Sequence, residues 1–514
     1  MSPDNDSQID ETWHGILQRR TMLKTLAAGS VAGLAGCSGG GGGSGSGGDG
    51  GGDGGGGSGG DDGGGGGDGG GGGDGGGGGG DGGGGSTVSY MQFSGGTAWD
   101  YYQDTIIPQV ESETDIDVDA SILEVNQYQA TLGNYLGTDN APDIFSMWSG
   151  PGRAGKYTWS GDAIELVQSG RMPDEMLDRM EPGMYAYQFE DGNPASWLQG
   201  EEYWGVSRDY GGYPVWFNEV VLEEAGVDPD NYRHRKDVTI GEFENLLDQV
   251  VNNTDKDGIA AGNSVGGKNA YWGAGLMYKA AGPEKFVGAA LGQTDAKFTD
   301  QVFVDALSKL KEWYDNGYII RDTNALGEHE ANGLFFQNQA AFICDGSWAQ
   351  AEYRQYADPE QLAGMGESGG WDFFWHPIWP DKPGEYENVH GAVNLSGYMV
   401  TSSAEERGRV EDAMQVLEYF LKPEHLQQNL TQNMVIPFTS DPDQYEFPNP
   451  AVEQMANDVV NADAVVEKCD RLFLPPAASA FYDESQGLFL DKTAEDVLQR
   501  TQEATDEALQ QYRG

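Results

Sequence analysis

The sequence predicts an α/β fold built in two lobes, and three observations carry that expectation. Helical stripes that start at capping boxes alternate with short apolar runs of strand character, the pattern of sheets flanked by helices. Residues 87–514 are too numerous for a single hydrophobic core. No Gly, Pro or Ser linker interrupts them, so the lobes are expected to share a chain that crosses between them several times. No internal repeat is present.

The elements follow in order. Arg19-Arg20-Thr21-Met22-Leu23-Lys24 is a twin-arginine pattern, and the small, apolar run from Leu26 closes on Leu34-Ala35-Gly36-Cys37. The run is too short to span a membrane. Residues 1–36 therefore read as a lipoprotein signal peptide, with Cys37 as the lipid-attachment residue of a mature chain held outside the cell. Residues 38–86 contain only Gly, Ser and Asp, seven of them Asp, and no side chain able to bury apolar area. Such a segment cannot offset its ordering entropy, so 37–87 is expected to be a lipidated, disordered tether of about 35 to 40 Å root-mean-square span.

Beyond the tether, Thr239-Ile240-Gly241-Glu242 is a capping box, and Phe243, Leu246, Leu247 and Val250 follow at helical spacing. Phe303, Ala306, Leu307, Leu310 and Tyr314 stripe a second helix that should stop at Gly317. Ser403 to Glu406 reads as another capping box, ahead of Val410, Ala413, Met414, Leu417 and Leu421. Ala340 to Cys344 and Tyr398 to Val400 read as buried strands.

Charge excludes one class of function. The chain carries 29 Lys and Arg against 83 Asp and Glu, a net −54, of which the leader holds −1 and the tether −7, leaving −46 on residues 87–514. Binding to nucleic acid through phosphates is excluded by that sign. The acids are spread without blocks, as on a solvated surface. Self-repulsion of this size is quenched only when the Debye length falls to about 3 Å in molar salt, which implies a halophilic, haloarchaeal source. Of three cysteines, Cys344 and Cys469 are expected to be buried free thiols.

Several motifs fail on inspection. Gly262 to Lys268 fits G-x-x-x-x-G-K, but Asn269 stands where the Mg²⁺-ligating Ser or Thr is needed. Asn253, Asp255, Asp257 and Gly258 imitate the start of an EF-hand loop, yet Ser264 replaces the bidentate Glu. No His, Cys or carboxylate spacing points to a metal or other cofactor. Asn252, Asn394 and Asn429 open glycosylation sequons, of which Asn252 sits in the loop of greatest expected exposure.

The order of the segments resembles the family 1 extracellular solute-binding proteins, the carbohydrate receptors of ABC importers related to maltose-binding protein. The resemblance covers most of residues 88–514. It rests on Pro142-Asp143-Ile144-Phe145 with Trp148 behind it, on Tyr203-Trp204-Gly205-Val206 leading to Val215-Trp216-Phe217-Asn218, and on Glu223-Glu224-Ala225-Gly226. The helix at Thr239, Asn332-Gly333, Asp345-Gly346-Ser347-Trp348, Val435-Ile436-Pro437 and Leu474-Pro475-Pro476 with Phe481-Tyr482 continue it. The resemblance implies a two-lobe, type II periplasmic-binding-protein-like fold with a ligand cleft between the lobes. One lobe would take 88–210 and about 395–435, the other about 211–394 and 436–514, with hinge crossings near 206–216, 391–400 and 432–440. It further implies a monomer that binds a carbohydrate ligand and delivers it to ABC permease subunits with their ATPase, anchored to the membrane through Cys37.

The site chemistry follows from the ligand. A sugar presents C–H faces and a ring of hydroxyls, so a receptor needs flat aromatic surfaces and a few oriented polar groups. Residues 87–514 hold 55 of the 56 aromatics. Matched to the family, Trp99, Asp100, Trp148, Tyr271, Trp272, Trp348 and Tyr482 are expected to wall the cleft, and Asp209, Tyr210 and Asn394 to reach hydroxyls at the hinge. Trp348 is the first choice among them. The competing readings are a receptor for a peptide or other polar solute, and a secreted glycoside hydrolase using two carboxylates. With 83 acidic residues, carboxylate pairs do not identify the latter, and no nucleophile triad or H-E-x-x-H spacing supports an enzyme.

Overall fold

The computed structural model describes residues 86–93, 100–123, 125–166, 169–173, 204–264, 267–352, 370–382, 384–439 and 441–513. The leader, Cys37 and the tether as far as residue 85, with Trp99, lie outside the described residues, while Ser86 and Thr87 at the tether's expected end open the first strand. The strands are β1 Ser86–Phe93, β2 Ile116–Leu123, β3 Ile144–Met147, β4 Val206–Gly212, β5 Val215–Asn218, β6 Asp257–Ile259, β7 Ala340–Cys344, β8 Trp371–Phe374, β9 Val389–Val400, β10 Ile436–Pro437 and β11 Ala464–Val466.

Among the described residues two mixed sheets form. The larger runs β10-β4-β9-β3-β1-β2, with β11 attached to β9, and the smaller runs β6-β7-β5-β8. In the larger sheet β1 pairs in parallel with β2 and β3, while β9 runs antiparallel between β3 and β4. Side-chain alternation fixes the register: Ile144, Tyr398 and Val400 enter the core beneath the helix Val410–Phe420, and Phe145 and Met399 enter a separate core with Tyr128 and Tyr157. One face of the small sheet, through Phe217, Phe342, Cys344 and Phe374, joins a core built on the helices Ile240–Asn253, Gly267–Ala281 and Gln301–Asp315. Its other face, Trp216, Ile343, Phe373 and Trp375, meets the helix Pro450–Val460 through Met455.

The chain passes from the large sheet to the small one between β4 and β5 and returns between Phe374 of β8 and Val389 of β9, so the whole of β9 lies in the large sheet. β4 belongs to the large sheet and β5 to the small one, with only Tyr213 and Pro214 between them. β9 pairs its first residues with β11 and its later ones with β4 and β3. Around residues 432–440 the chain stays with the large sheet. Met434 ends a helix in the left-handed region at φ 55°, and β10 then pairs with β4 inside the large sheet. The step toward the other core comes at β11, where Val466 joins the residues around Phe473.

Local chemistry accounts for the helix ends. Thr239 and Glu242 form the expected reciprocal capping box. The second stripe forms the helix Gln301–Asp315, followed by Gly317 at φ 81°, although Trp313 is its buried last-turn residue and Tyr314 only half-buried. Ser403 to Glu406 is not a helix start. Thr401 caps the short helix Ser402–Glu406, Gly408 at φ 69° breaks it, and Val410 begins another. Cys344 and Cys469 are free and buried.

Candidate functional site

The residues singled out from the sequence separate into three groups. Trp148, Trp348 and Tyr482 are half-buried and lean on core residues, so each keeps surface for another molecule. Trp148 follows β3, Trp348 sits in the turn after β7, and Tyr482 lies in the helix Pro475–Gln486. Asp100 is exposed. Asn394 lies in β9, opposite Tyr210 of β4.

Four others are buried, and their expected roles are corrected by what covers them. Trp272 is 0% exposed: it stacks on Phe243 at 5.9 Å and meets Trp313 and His376 edge-on, so neither face is open to a ligand. Tyr271 is 3% exposed and meets Tyr213 edge-on, with Lys468 Nζ 4.1 Å and Lys268 Nζ 5.1 Å from its ring centre. Tyr210 is 2% exposed and donates its hydroxyl to the Ala456 carbonyl. Asp209, at a bulge in β4, accepts from Arg208 Nε at 2.6 Å and from Asn429 Nδ2 at 3.1 Å. Its carboxylate thus ties the bulge to the helix Pro423–Asn433, and the buried Asn429 is no surface sequon.

Around the half-buried aromatics the structure assembles charged side chains that sequence reasoning missed. Phe93 stacks on Trp148 at 4.5 Å, and the guanidinium groups of Arg153 and Arg471 lie 5.3 and 5.5 Å from its ring centre. Arg153 donates to Asp470 at 3.0 Å and to Gln129 at 3.0 Å. Its Nε is buried without a hydrogen-bond partner among the described residues. Lys468 Nζ stands 3.4 Å from Asp470 Oδ1. Burial works against the charge of Asp470, but Lys468, Arg153 and Arg471 outweigh it and hold the carboxyl at about 2. For Lys468 burial prevails over Asp470, with Arg471 and Arg153 adding to it, and lowers its affinity for a proton. Tyr482 is pushed well above the usual phenol range by burial first and then by Asp470.

The same network reaches Trp348. Asp345, which opens its turn, is fully buried and accepts from Lys268 Nζ at 2.6 Å and Asn332 Nδ2 at 2.6 Å, and from the Gly346 N–H at 2.8 Å. Its carbonyl accepts from Trp216 Nε1 at 2.9 Å. Burial disfavours the Lys268 ammonium, yet Asp345 and Glu328 keep it charged well above the ordinary lysine range. The turn therefore aims Trp348 from a fixed base, with the indole lying against Gly211 at the end of β4.

A line of contacts therefore runs from Trp348 through Asp345, Lys268, Tyr271, Lys468 and Asp470 to Arg153 and Trp148. It offers indole and phenol surfaces beside donors and acceptors held by burial and ion pairing, an arrangement suited to binding a polar molecule with an apolar face. Among the described residues no group of His, Cys, Asp and Glu is placed to hold a metal ion. The signal that could have found the charged partners was their scarcity. In a chain with 29 Lys and Arg, the run Lys468-Cys469-Asp470-Arg471 ahead of Leu472-Phe473-Leu474 sets charges amid apolar residues.

No protein-family model matches the chain, and a sequence comparison with the curated proteins gives no match. Solved structures do match its fold. A chitin oligosaccharide binding protein superposes with a TM-score of 0.66 at 18% identity, covering 82% of this chain and 98% of its own. A bacterial solute receptor with an exclusive preference for β-D-galactopyranose gives 0.65 at 15% identity, over 83% of this chain and 100% of its own. An ABC transporter solute-binding protein from Thermotoga lettingae, bound with α-D-tagatose, gives 0.64 at 14%, over 82% and 100%. With nearly the whole of each of these proteins covered, this chain has the fold of the two-lobe solute-binding proteins.

Proposed function

We propose that the chain is an extracellular receptor that captures a sugar or oligosaccharide between two lobes and delivers it to the permease subunits and ATPase of an ABC importer. The observation that carries this reading is the coincidence of the fold with that of receptors for chitin oligosaccharide, β-D-galactopyranose and α-D-tagatose. The site supports it: Trp148, Trp348 and Tyr482 offer aromatic surface beside the charged line from Arg153 to Asp345. An indole stacks on the C–H face of a sugar while fixed charges take its hydroxyls, and closing the lobes desolvates both. The protein binds its ligand without transforming it.

In this reading one lobe is built on the large sheet, residues 88–210 and about 395–435, and the other on 211–394 and the C-terminal part. The packing of the helix Pro450–Val460 against β4 and β9 argues for moving that helix to the first lobe. Export by the twin-arginine route, a lipid on Cys37 and a monomeric state complete the proposal, motivated by the leader and tether sequence.

The test is a thermal-shift screen in molar salt on protein recovered from the membrane fraction. A ligand that binds only the folded state stabilises it by about 2.7 kcal/mol at one hundred times its Kd. At least one mono- or oligosaccharide should raise the Tm, and Cys37→Ser should move the same sugar-responsive protein to the medium. A shift with peptides or amino acids and none with sugars would overturn the sugar reading, and unchanged membrane retention of Cys37→Ser would overturn the anchor.

A further inference from the structure

The loop after β3 and the segment after β11 belong to different cores. Ala154 and Tyr157, which continue the loop, pack with Phe145, Met147 and Tyr128 beside the large sheet. Cys469, Leu472 and Phe473, which continue the segment, pack in the core of the small sheet, where Phe473 lies 4.6 Å from Phe298 and 5.6 Å from Phe481. Between the two segments the contacts are polar. Arg153 pairs with Asp470 at 3.0 Å, Ser149 donates to Glu467, and the Gly152 N–H donates to the Arg471 carbonyl at 2.9 Å.

The approach is close enough to exclude side chains. A Cβ on Gly150 would fall 2.4 Å from Glu467 Oε2 and 2.5 Å from the Arg471 carbonyl oxygen. One on Gly152 would fall 2.5 Å from the carbonyl oxygens of both Asp470 and Phe473. Two glycines in Gly150-Pro151-Gly152 therefore let one backbone lie directly on the other. The ion pair is well placed to hold: the Asp470 side chain is 4% exposed, and Arg153 is braced from its own side by Gln129.

The geometry points to a clasp that needs no bridging ligand: Arg153–Asp470, Ser149–Glu467 and the Gly152–Arg471 backbone bond join the two halves of the molecule by direct protein contacts. The inference goes beyond the proposed function, since it needs no particular ligand. Polar contacts can be exchanged for water while both apolar cores stay intact, so the clasp is a joint that opens without unfolding either half. Its consequence is energetic. A receptor whose competent, closed form is already populated loses less affinity to the cost of closing, because the apparent Kd is the intrinsic Kd divided by the competent fraction.

Hydrogen–deuterium exchange of the full, ligand-free chain tests the clasp without any sugar, so its outcome is independent of the ligand assignment. Residues 149–154 and 468–473 should exchange slowly in the native protein. Asp470→Asn, Arg153→Gln and the steric wedge Gly152→Ala should each speed exchange there by about tenfold or more. The helix Ile240–Asn253, buried in the core of the small sheet, should keep its native rate. Fast exchange of both segments in the native chain, or unaltered rates in the variants, would refute the clasp. So would a rise that spreads to the control helix, because it would mean that these contacts hold the fold itself and not a joint within it.

Discussion

At the scale of single residues, Trp348 and Asp345 divide the labour of the candidate site. The indole lies so close to the backbone that a Cβ on Gly211 would meet its Cζ3 at 2.7 Å, and a Cβ on Gly346 at 1.9 Å. The ring is half-buried, and the turn beneath it is fixed by Asp345 and not by the ring itself. Trp348→Ala should therefore weaken sugar binding by about 1 to 3 kcal/mol in titration calorimetry and leave the ligand-free Tm nearly unchanged. Asp345→Ala should do the reverse in kind, costing about 3 to 5 kcal/mol of stability, because it removes the fully buried partner of the Lys268 ammonium and leaves it only the partly exposed Glu328 at 3.1 Å. A Trp348→Ala protein that loses that much stability while binding normally would make the indole a packing residue. This division was half legible in the sequence. A Trp behind Asp-Gly-Ser shows an aromatic in a turn, whereas nothing local shows that Lys268, seventy-seven positions from Asp345, is its partner.

At the scale of elements, the capping box at Thr239 and the stripe from Phe303 were legible because each is set by residues within one or two helical turns. Tyr271 and Trp272 were misread for a tertiary reason. Glycines around them suggest a loop, but Gly267–Ala281 is a helix buried from Gly267 to Ala280, in which Gly273 and Gly275 admit Phe481 and His376. A Cβ on Gly275 would fall 2.2 Å from His376 Nδ1, so the imidazole lies against the helix backbone. Rings of Tyr213, Trp272 and Tyr278 surround it, and Cys344 Sγ lies 3.4 Å from Nε2. Burial, with Lys279 nearby, depresses its pKa to about 3, and the same causes, in the same order, carry the buried His390 well below its usual value. Both rings are neutral when folded and bind protons when unfolded below about pH 6.5, so stability is complete above that pH and is lost as pH falls toward the folded values. Between about pH 6.5 and 4.5 most carboxylates are still ionised, and each such histidine contributes a slope of up to about 1.4 kcal/mol per pH unit. Urea midpoints across that window should fall with pH, and His376→Gln should flatten the fall. An unaltered slope in that variant would remove His376 as its source.

At the scale of the whole molecule, the balance of charge is expected to set the conditions under which the fold persists. The few cations are partly spent inside: Lys268 and Arg208 are buried against Asp345 and Asp209, and Arg153 and Arg471 serve the candidate site. With 29 basic residues against 83 acidic ones, most surface carboxylates are left to repel one another. Exposed repulsions are screened by salt and buried pairs much less, so removing salt acts against the compact state without a matching loss in the unfolded chain. Lowering salt from molar concentration to about 0.1 M lengthens the Debye length from about 3 Å to about 10 Å, far enough for each surface charge to feel several neighbours. The Tm should drop sharply over that range, and the drop should shrink when surface acids away from the site, such as Glu406, Glu411 and Asp412, are replaced by their amides. Replacing the buried Asp345 by Asn should instead lower the Tm by a similar amount at both salt concentrations. A Tm that stays level from molar salt to about 0.1 M would mean that the −46 on residues 87–514 does not govern stability, and the halophilic reading of the composition would have to be given up.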